Sequence, residues 1–204
     1  MLIIGLTGSV GMGKSTVAAR FRERGIPVCD ADALVHSLYE GDAVAPIEAA
    51  FPGSTTDGKV DRQKLSAFLL ADLAGFKRLE AIVHPLVHEA EVECLTLAKS
   101  EGAAMAVLEI PLLLEAGKDK QCDVTVVVSA PADIQRERVM ARPGMTAEKL
   151  EAILKRQMPD ADKRARADFV VDTGIAIEET LTQVDRLIDR LSERQGEAFE
   201  RHWS

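Results

Sequence analysis

Apolar residues cluster in five short, nearly unbroken runs, at 2–6, 26–29, 104–110, 123–129 and 168–172. Runs of that length, rich in Val, Ile and Leu, predict strands buried on both faces, as in a parallel sheet. Between them the apolar positions recur every three or four residues, the period of an amphipathic helix. Val17, Ala18 and Phe21 predict a first helix to about Arg24, closed by Gly25. Pro131 and Thr146 mark two later helix starts. Ile177, Leu181, Val184, Leu187, Ile188 and Leu191 form the core face of a last one. Strands alternating with helices predict an α/β fold: a parallel five-stranded sheet flanked by helices, in one domain spanning 1–204. There is no internal repeat. Residues 192–204 carry no pattern and are expected to fray, with Trp203 incidental.

One interval breaks the alternation. Residues 33–100 read as largely helical, with Leu65, Phe68, Leu69 and Leu73 on one face and Phe76, Leu79, Ile82 and Val83 on another. Residues 53–58, Gly-Ser-Thr-Thr-Asp-Gly, read as a loop. A normal crossover between parallel strands uses a single helix. The excess predicts an inserted helical subdomain, about 40–100, that covers a substrate. Pro85 predicts a helix break at His84 and a new start after it.

The first strand runs into Gly8-Ser9-Val10-Gly11-Met12-Gly13-Lys14-Ser15-Thr16. This is the Walker A pattern, with Gly8, Gly13, Lys14 and Ser15 at its fixed positions, between a strand and a helix as the pattern requires. Glycines let successive N–H groups turn inward around phosphate oxygens, and the helix N-terminus adds further donors. Gly11, Met12, Gly13, Lys14, Ser15 and Thr16 are the expected nucleotide contacts. Lys14 reaches the β- and γ-phosphates and the Ser15 hydroxyl ligates Mg²⁺. The chain is therefore expected to bind a nucleoside triphosphate.

Charge narrows the other substrate. The net charge of −8 disfavours nucleic acid. Residues 136–166 are nevertheless net positive, with nine basic side chains against five acidic ones. A local basic segment in an acidic chain suits a small, highly charged ligand, and a solvated mixed-charge face is the plainer reading. Arg138 and Arg142 are four apart and predict one helix face; such arginines on a lid, about 136–166, would close over ATP. No apolar run approaches bilayer thickness and no secretory signal opens the chain, so a membrane is not an expected partner. Cys29, Cys94 and Cys122 are widely spaced, give no disulfide or zinc framework, and fit a reducing cytoplasm. No obligate protein partner is evident.

Other candidates lie near strand ends, where open parallel sheets bind ligands. Asp30-Ala31-Asp32 follows the second strand, and at most one of the two carboxylates is expected to be spent as a helix cap. Glu109 ends the third strand, where an acid could hold Mg²⁺ through water. Glu115 either caps or lines the substrate side. His84, His88 and Glu91 have a spacing that raises a metal site, but Pro85 stands where the zincin pattern needs Glu. His84 is better read as a cap or substrate contact.

Taken together, the loop at 8–16, Asp30-Ala31-Asp32, His84-Pro85, Pro111-Leu112-Leu113 with Glu115, Gln135 with Arg138 and Arg142, and Arg156-Gln157 resemble the bacterial dephospho-coenzyme A kinase family. The resemblance runs from about 2 to 192. It implies a P-loop kinase fold with a helical substrate-binding insertion and a lid. It implies ATP as phosphoryl donor, Mg²⁺, and transfer of the γ-phosphate to the ribose 3′-hydroxyl of dephospho-CoA, giving coenzyme A. On that basis Asp32, Lys14, Arg138 and Arg142 are the expected catalytic residues, and Asp30, His84, Leu113 and Glu115 the expected substrate contacts. His36, Leu114 and Thr173 depart from the residues frequent in that family. Another P-loop nucleotide or metabolite kinase, such as a shikimate kinase, is the neighbouring alternative. A nucleotide-dependent switch is more remote, because the chain has no Asn for an Asn-Lys-x-Asp motif.

Overall fold

The computed structural model describes residues 1–204, the side chains of 71 and 73 excepted, so the predicted place of Leu73 on a helix face lies outside the described residues. Two compact units are present: residues 1–29 with 95–204, and residues 30–94.

The first unit is built on β1 (Leu2–Thr7), buried at every position. Around it lie β2 (Val28–Asp30), β5 (Met105–Glu109), β6 (Val124–Ser129) and β7 (Phe169–Asp172), in the order β2-β5-β1-β6-β7. β1 pairs in parallel with β5 and β6, and β6 with β7. The five predicted strands are all present. Alternation along β1 divides its side chains. Leu2, Ile4 and Leu6 join Val17, Ala18 and Phe21 of α1 (Lys14–Glu23) and Val184, Leu187, Ile188 and Leu191 of α9 (Ile177–Ser192) in one apolar cluster. On the other face Gly5 leaves room for Leu113 and Cys122. The same unit carries α6 (Ala132–Met140), α7 (Ala147–Leu154) and α8 (Asp160–Arg166).

Its C-terminal segment does not fray. α10 (Ala198–His202) buries Ala198, Phe199 and Trp203. The indole Nε1–H of Trp203 donates to Gln121 O at 2.8 Å. Asp123 accepts from Glu197 N and Ala198 N through Oδ1, and from Ile3 N through Oδ2, which ties the segment to β1. An isolated Trp and Phe in a polar stretch have no periodicity, so no local pattern announces this. Trp203→Ala is expected to destabilise the fold by about 3–5 kcal/mol, the range for truncating a buried aromatic. A urea midpoint unchanged from wild type would place the segment outside the folded body.

The second unit holds α2 (Ala31–Leu38), α3 (Val44–Ala50), α4 (Arg62–Ala71) and most of α5 (Leu73–Ser100). Its core is Leu38, Ala43, Ile47, Phe51, Val60, Leu65, Leu69 and Val83. Phe68 and Phe76, assigned to core faces by their spacing, are 39% and 43% exposed. The predicted loop contains a small hairpin, β3 (Thr55–Thr56) with β4 (Lys59–Val60). Asp57 and Gly58 turn it, both at positive φ (50° and 75°), as a two-residue hairpin turn demands. The expected break at Pro85 is absent, since Pro85 lies inside α5. A proline there removes one backbone hydrogen bond and costs about 3 kcal/mol. Burial of Val83, with Ile82, Leu86 and Val87 packed on the same core, offsets it. The cysteine reading is also corrected: Cys29 is disulfide-bonded, as is Cys94, while Cys122 keeps its thiol. Spacing along a chain does not reveal which side chains the fold makes accessible to pairing.

Candidate active site

The turn from β1 to α1 is shaped by two glycines. Gly11 and Gly13 sit at φ 78° and 82°. A Cβ on Gly11 would lie 2.5 Å from Val139 Cγ2, and one on Gly13 about 3.1 Å from Thr173 Oγ1. Left-handed backbone and close approach both exclude larger residues. α1 begins at Lys14 without a side-chain cap, so its first N–H groups remain for an anion. Met12 points into the apolar core, and its Sδ accepts from Ala130 N.

Lys14 Nζ donates to Glu109 Oε1 at 2.6 Å. Glu109 is 3% exposed, and its Oε2 lies 3.5 Å from Arg22 without a hydrogen-bond partner among the described residues. The acid at the end of β5 is thus bound to the lysine of the loop. Its unbonded oxygen, with the exposed hydroxyl-bearing Ser15 in the first turn of α1, fits the donor set of a Mg²⁺ that takes one or two protein oxygens and fills its shell with phosphate and water. No cluster of three or more His, Cys, Asp or Glu able to hold a metal occurs among the described residues.

Glu115 Oε1 accepts from Met158 N at 2.8 Å and lies 2.9 Å from Lys163 Nζ. Lys163 is wholly buried. Burial opposes ionisation of Glu115, but the Lys163 ammonium and the backbone donors outweigh it and hold the carboxyl below its usual range. Leu113 is wholly buried against Gly5, so its side chain belongs to the core and presents no surface to a substrate.

The two arginines expected on a lid part company. Arg138 lies on α6 and donates to Thr173 O at 2.6 Å and to Thr173 Oγ1 at 3.2 Å. Arg142 lies beyond the end of α6, so the two do not share a helical face. Pro143 disfavours helix at the residue before it, which accounts for the early stop. Arg142 is exposed.

In the second unit, Asp30 is the cap: its Oδ1 accepts from Asp32 N and Ala33 N. Asp32 is left exposed in the first turn of α2. It lines a groove of about 590 Å³ with Val35, Leu65, Leu69 and Leu79 on the apolar side and Tyr39, Ser66 and Arg62 on the polar side. Arg62 lies over the Tyr39 ring at 5.3 Å. Burial raises the Tyr39 hydroxyl above its ordinary pKa, against the lowering effect of Arg62. His84 is exposed on α5. Arg62 was not legible as a site residue, because one arginine after a capping Asp61 reads as a solvated helix start.

A parallel sheet of this order, with a lysine-bearing glycine loop between its central strand and first helix, defines a P-loop kinase-type α/β protein. The dephospho-CoA kinase family matches residues 2–179, and the chain belongs to that family. A dephospho-CoA kinase of Nitrobacter winogradskyi is 55% identical over 92% of this chain and 94% of its own. A Thermus thermophilus protein of solved structure is 36% identical, with a TM-score of 0.80 over 93% of this chain and 97% of that one. The dephospho-CoA kinase of Campylobacter jejuni shares the fold, at 23% identity and a TM-score of 0.71 over 94% and 97% of the two chains.

Proposed function

We propose that this protein transfers the γ-phosphate of ATP to the ribose 3′-hydroxyl of dephospho-CoA, giving coenzyme A and ADP. The observation that carries the reading is the family match over residues 2–179, which takes in the phosphate loop, Asp30-Ala31-Asp32 and the basic segment alike. The loop from Gly8 to Thr16 holds the donor phosphates through those of its backbone N–H groups that have no acceptor among the described residues, and Lys14 offsets charge on the β- and γ-oxygens. Incoming phosphate competes with Glu109 for the Lys14 ammonium. Ser15 and, through water, Glu109 are the residues that would hold Mg²⁺, which would supply further charge neutralisation on the phosphates.

Asp32 orients the acceptor hydroxyl and takes its proton late. An ordinary Asp has a pKa of about 4, so it does not deprotonate a ribose hydroxyl before attack. The groove beside Asp32 has an apolar wall for a pantetheine arm and Arg62 for a diphosphate. Asp30 and His84, which do not line it, are further contacts on the family resemblance alone. Glu115 Oε2 has no hydrogen-bond partner among the described residues, which leaves it for the substrate side. Residues 136–166 act as the lid and residues of the 30–94 unit as the acceptor subdomain. Arg138 and Arg142 contribute charge to the loose transition state and exclude water. No helix among the described residues is long and apolar enough to cross a membrane, in keeping with a cytoplasmic enzyme of small-molecule metabolism. A coupled ADP-release assay across dephospho-CoA, AMP, CMP and shikimate tests the reading. Turnover is expected on dephospho-CoA; robust turnover on another acceptor with none on dephospho-CoA overturns it.

A further inference from the structure

The phosphate loop is held from behind by three side chains that the mechanism above does not use, and their bonds follow a pattern. Gln135 Nε2 on α6 donates to Val10 O at 2.8 Å. Gln157 Oε1, beyond α7, accepts from Val10 N at 3.1 Å. Thr173 Oγ1, directly after β7, donates to Met12 O at 2.7 Å. Met12 N is taken by Ser9 O at 3.1 Å. Along the loop the N–H groups of Val10 and Met12 are therefore occupied. Those of Gly11 and Gly13 have no acceptor among the described residues.

Peptide geometry links these facts. A trans peptide is planar, and the carbonyl of one residue points opposite to the N–H of the next. Holding Val10 O on Gln135 turns the Gly11 N–H away from Gln135. Holding Met12 O on Thr173 turns the Gly13 N–H away from Thr173. Gln157 ties down the Val10 N–H, on the peptide that precedes both. Loop glycines alone would leave these peptides free to flip, since glycine adopts positive and negative φ with similar ease.

We propose that Gln135, Thr173 and Gln157 are positioning residues that sort the loop's N–H groups, fixing those of Gly11 and Gly13 toward the phosphate oxygens of the nucleotide. The proposal rests on the phosphate-loop part of the functional reading and is independent of the acceptor. Gln135 acts as a donor and Gln157 as an acceptor, which gives the test its direction. Thr173 acts through its hydroxyl, and its contact with Arg138 adds a second anchor on the same residue.

The experiment measures ADP affinity by calorimetry without acceptor, with the unliganded melting temperature and the KM for ATP and for dephospho-CoA in parallel. Gln135→Glu puts an acceptor against the Val10 carbonyl, whereas Gln157→Glu keeps an acceptor against the Val10 N–H. Both add a carboxylate beside Val10, and Gln135 is the more buried site, so the unliganded melting temperature reads the cost of burying the charge while ADP affinity reads bond direction. ADP binding is expected to be about tenfold weaker in Gln135→Glu than in Gln157→Glu, the size of one lost hydrogen bond. Thr173→Val is expected to weaken ADP by a similar factor and Thr173→Ser to restore it. The KM for ATP should rise in step with the KM for dephospho-CoA unchanged, and Gln135→Glu should melt earlier than wild type because its carboxylate is buried against a carbonyl. Equal ADP affinity in the two glutamate variants, or in the valine and serine variants, overturns the proposal. A wild type that binds ADP but does not phosphorylate dephospho-CoA removes the acceptor assignment and leaves this test intact.

Discussion

Asp32→Asn is expected to lower turnover on dephospho-CoA by about 10²–10⁴-fold, the usual worth of a positioned acid–base group, while the KM for ATP changes little. The structure makes this substitution informative. Asp30, two residues earlier, already caps α2 by accepting from Asp32 N and Ala33 N. The Asp32 carboxylate is not needed for the helix, and Asn has nearly its shape. What Asn lacks is the charge and the ability to take a proton. Asp30→Asn gives the contrast, because Asn is as good a cap as Asp; it should leave the helix and kcat near wild type, and its role as a proposed acceptor contact should show in the KM for dephospho-CoA. Steady-state kinetics of the two variants separate the roles. Near wild-type turnover in Asp32→Asn would assign proton transfer elsewhere.

The parts of the molecule that were legible are those in which local pattern and tertiary role coincide. β1, the glycine loop and α1 are one continuous signal of apolar run, turn and amphipathic helix. The other four strands of the sheet announced themselves by short apolar runs; burial on both faces holds for β5 and β6, while β2 and β7, at the two edges, are only partly buried. That no more than one of Asp30 and Asp32 caps α2 followed from their place between strand and helix; that it is Asp30 did not. What stayed hidden depends on contacts between distant residues. Lys163 looked like one of nine basic residues in a charged segment, yet it is buried against Glu115. Leu113, a substrate contact by resemblance, is core. Trp203 is held by Gln121 and Asp123 anchors the backbone before it, partners that no periodicity could supply. Pro85 misled because its intrinsic preference is real and packing overrode it. The hairpin at 55–60 carried a genuine cue in Asp57-Gly58, but its strands are two residues each, too short for alternation to register. Thr173 was noticed only as a departure from a family pattern; its bond to Met12 spans 161 positions.

Lys14→Ala carries two separable consequences. The first is chemical: loss of one preorganised cation at the developing charge costs about 10²–10³ in rate. That loss should persist at saturating ATP, because it belongs to the transition state and not only to nucleotide affinity. The second is structural and comes from Glu109. Its carboxylate is buried, bonded to Lys14 at 2.6 Å, with Arg22 at 3.5 Å as its other cation. Removing Lys14 leaves a buried charge with the weaker partner, and breaking such a pair from one side costs about 3 kcal/mol. Lys14→Ala should therefore melt earlier as well as turn over slowly, and activity alone could not tell a missing catalyst from a damaged fold. The double variant Lys14→Ala with Glu109→Gln resolves this. Neutralising Glu109 removes the stranded charge, so unfolding by urea should return toward wild type while phosphoryl transfer stays lost. If the double variant recovers both, Lys14 serves the fold alone. If Lys14→Ala keeps its turnover at saturating ATP, the phosphate loop does not bind the nucleotide through this lysine.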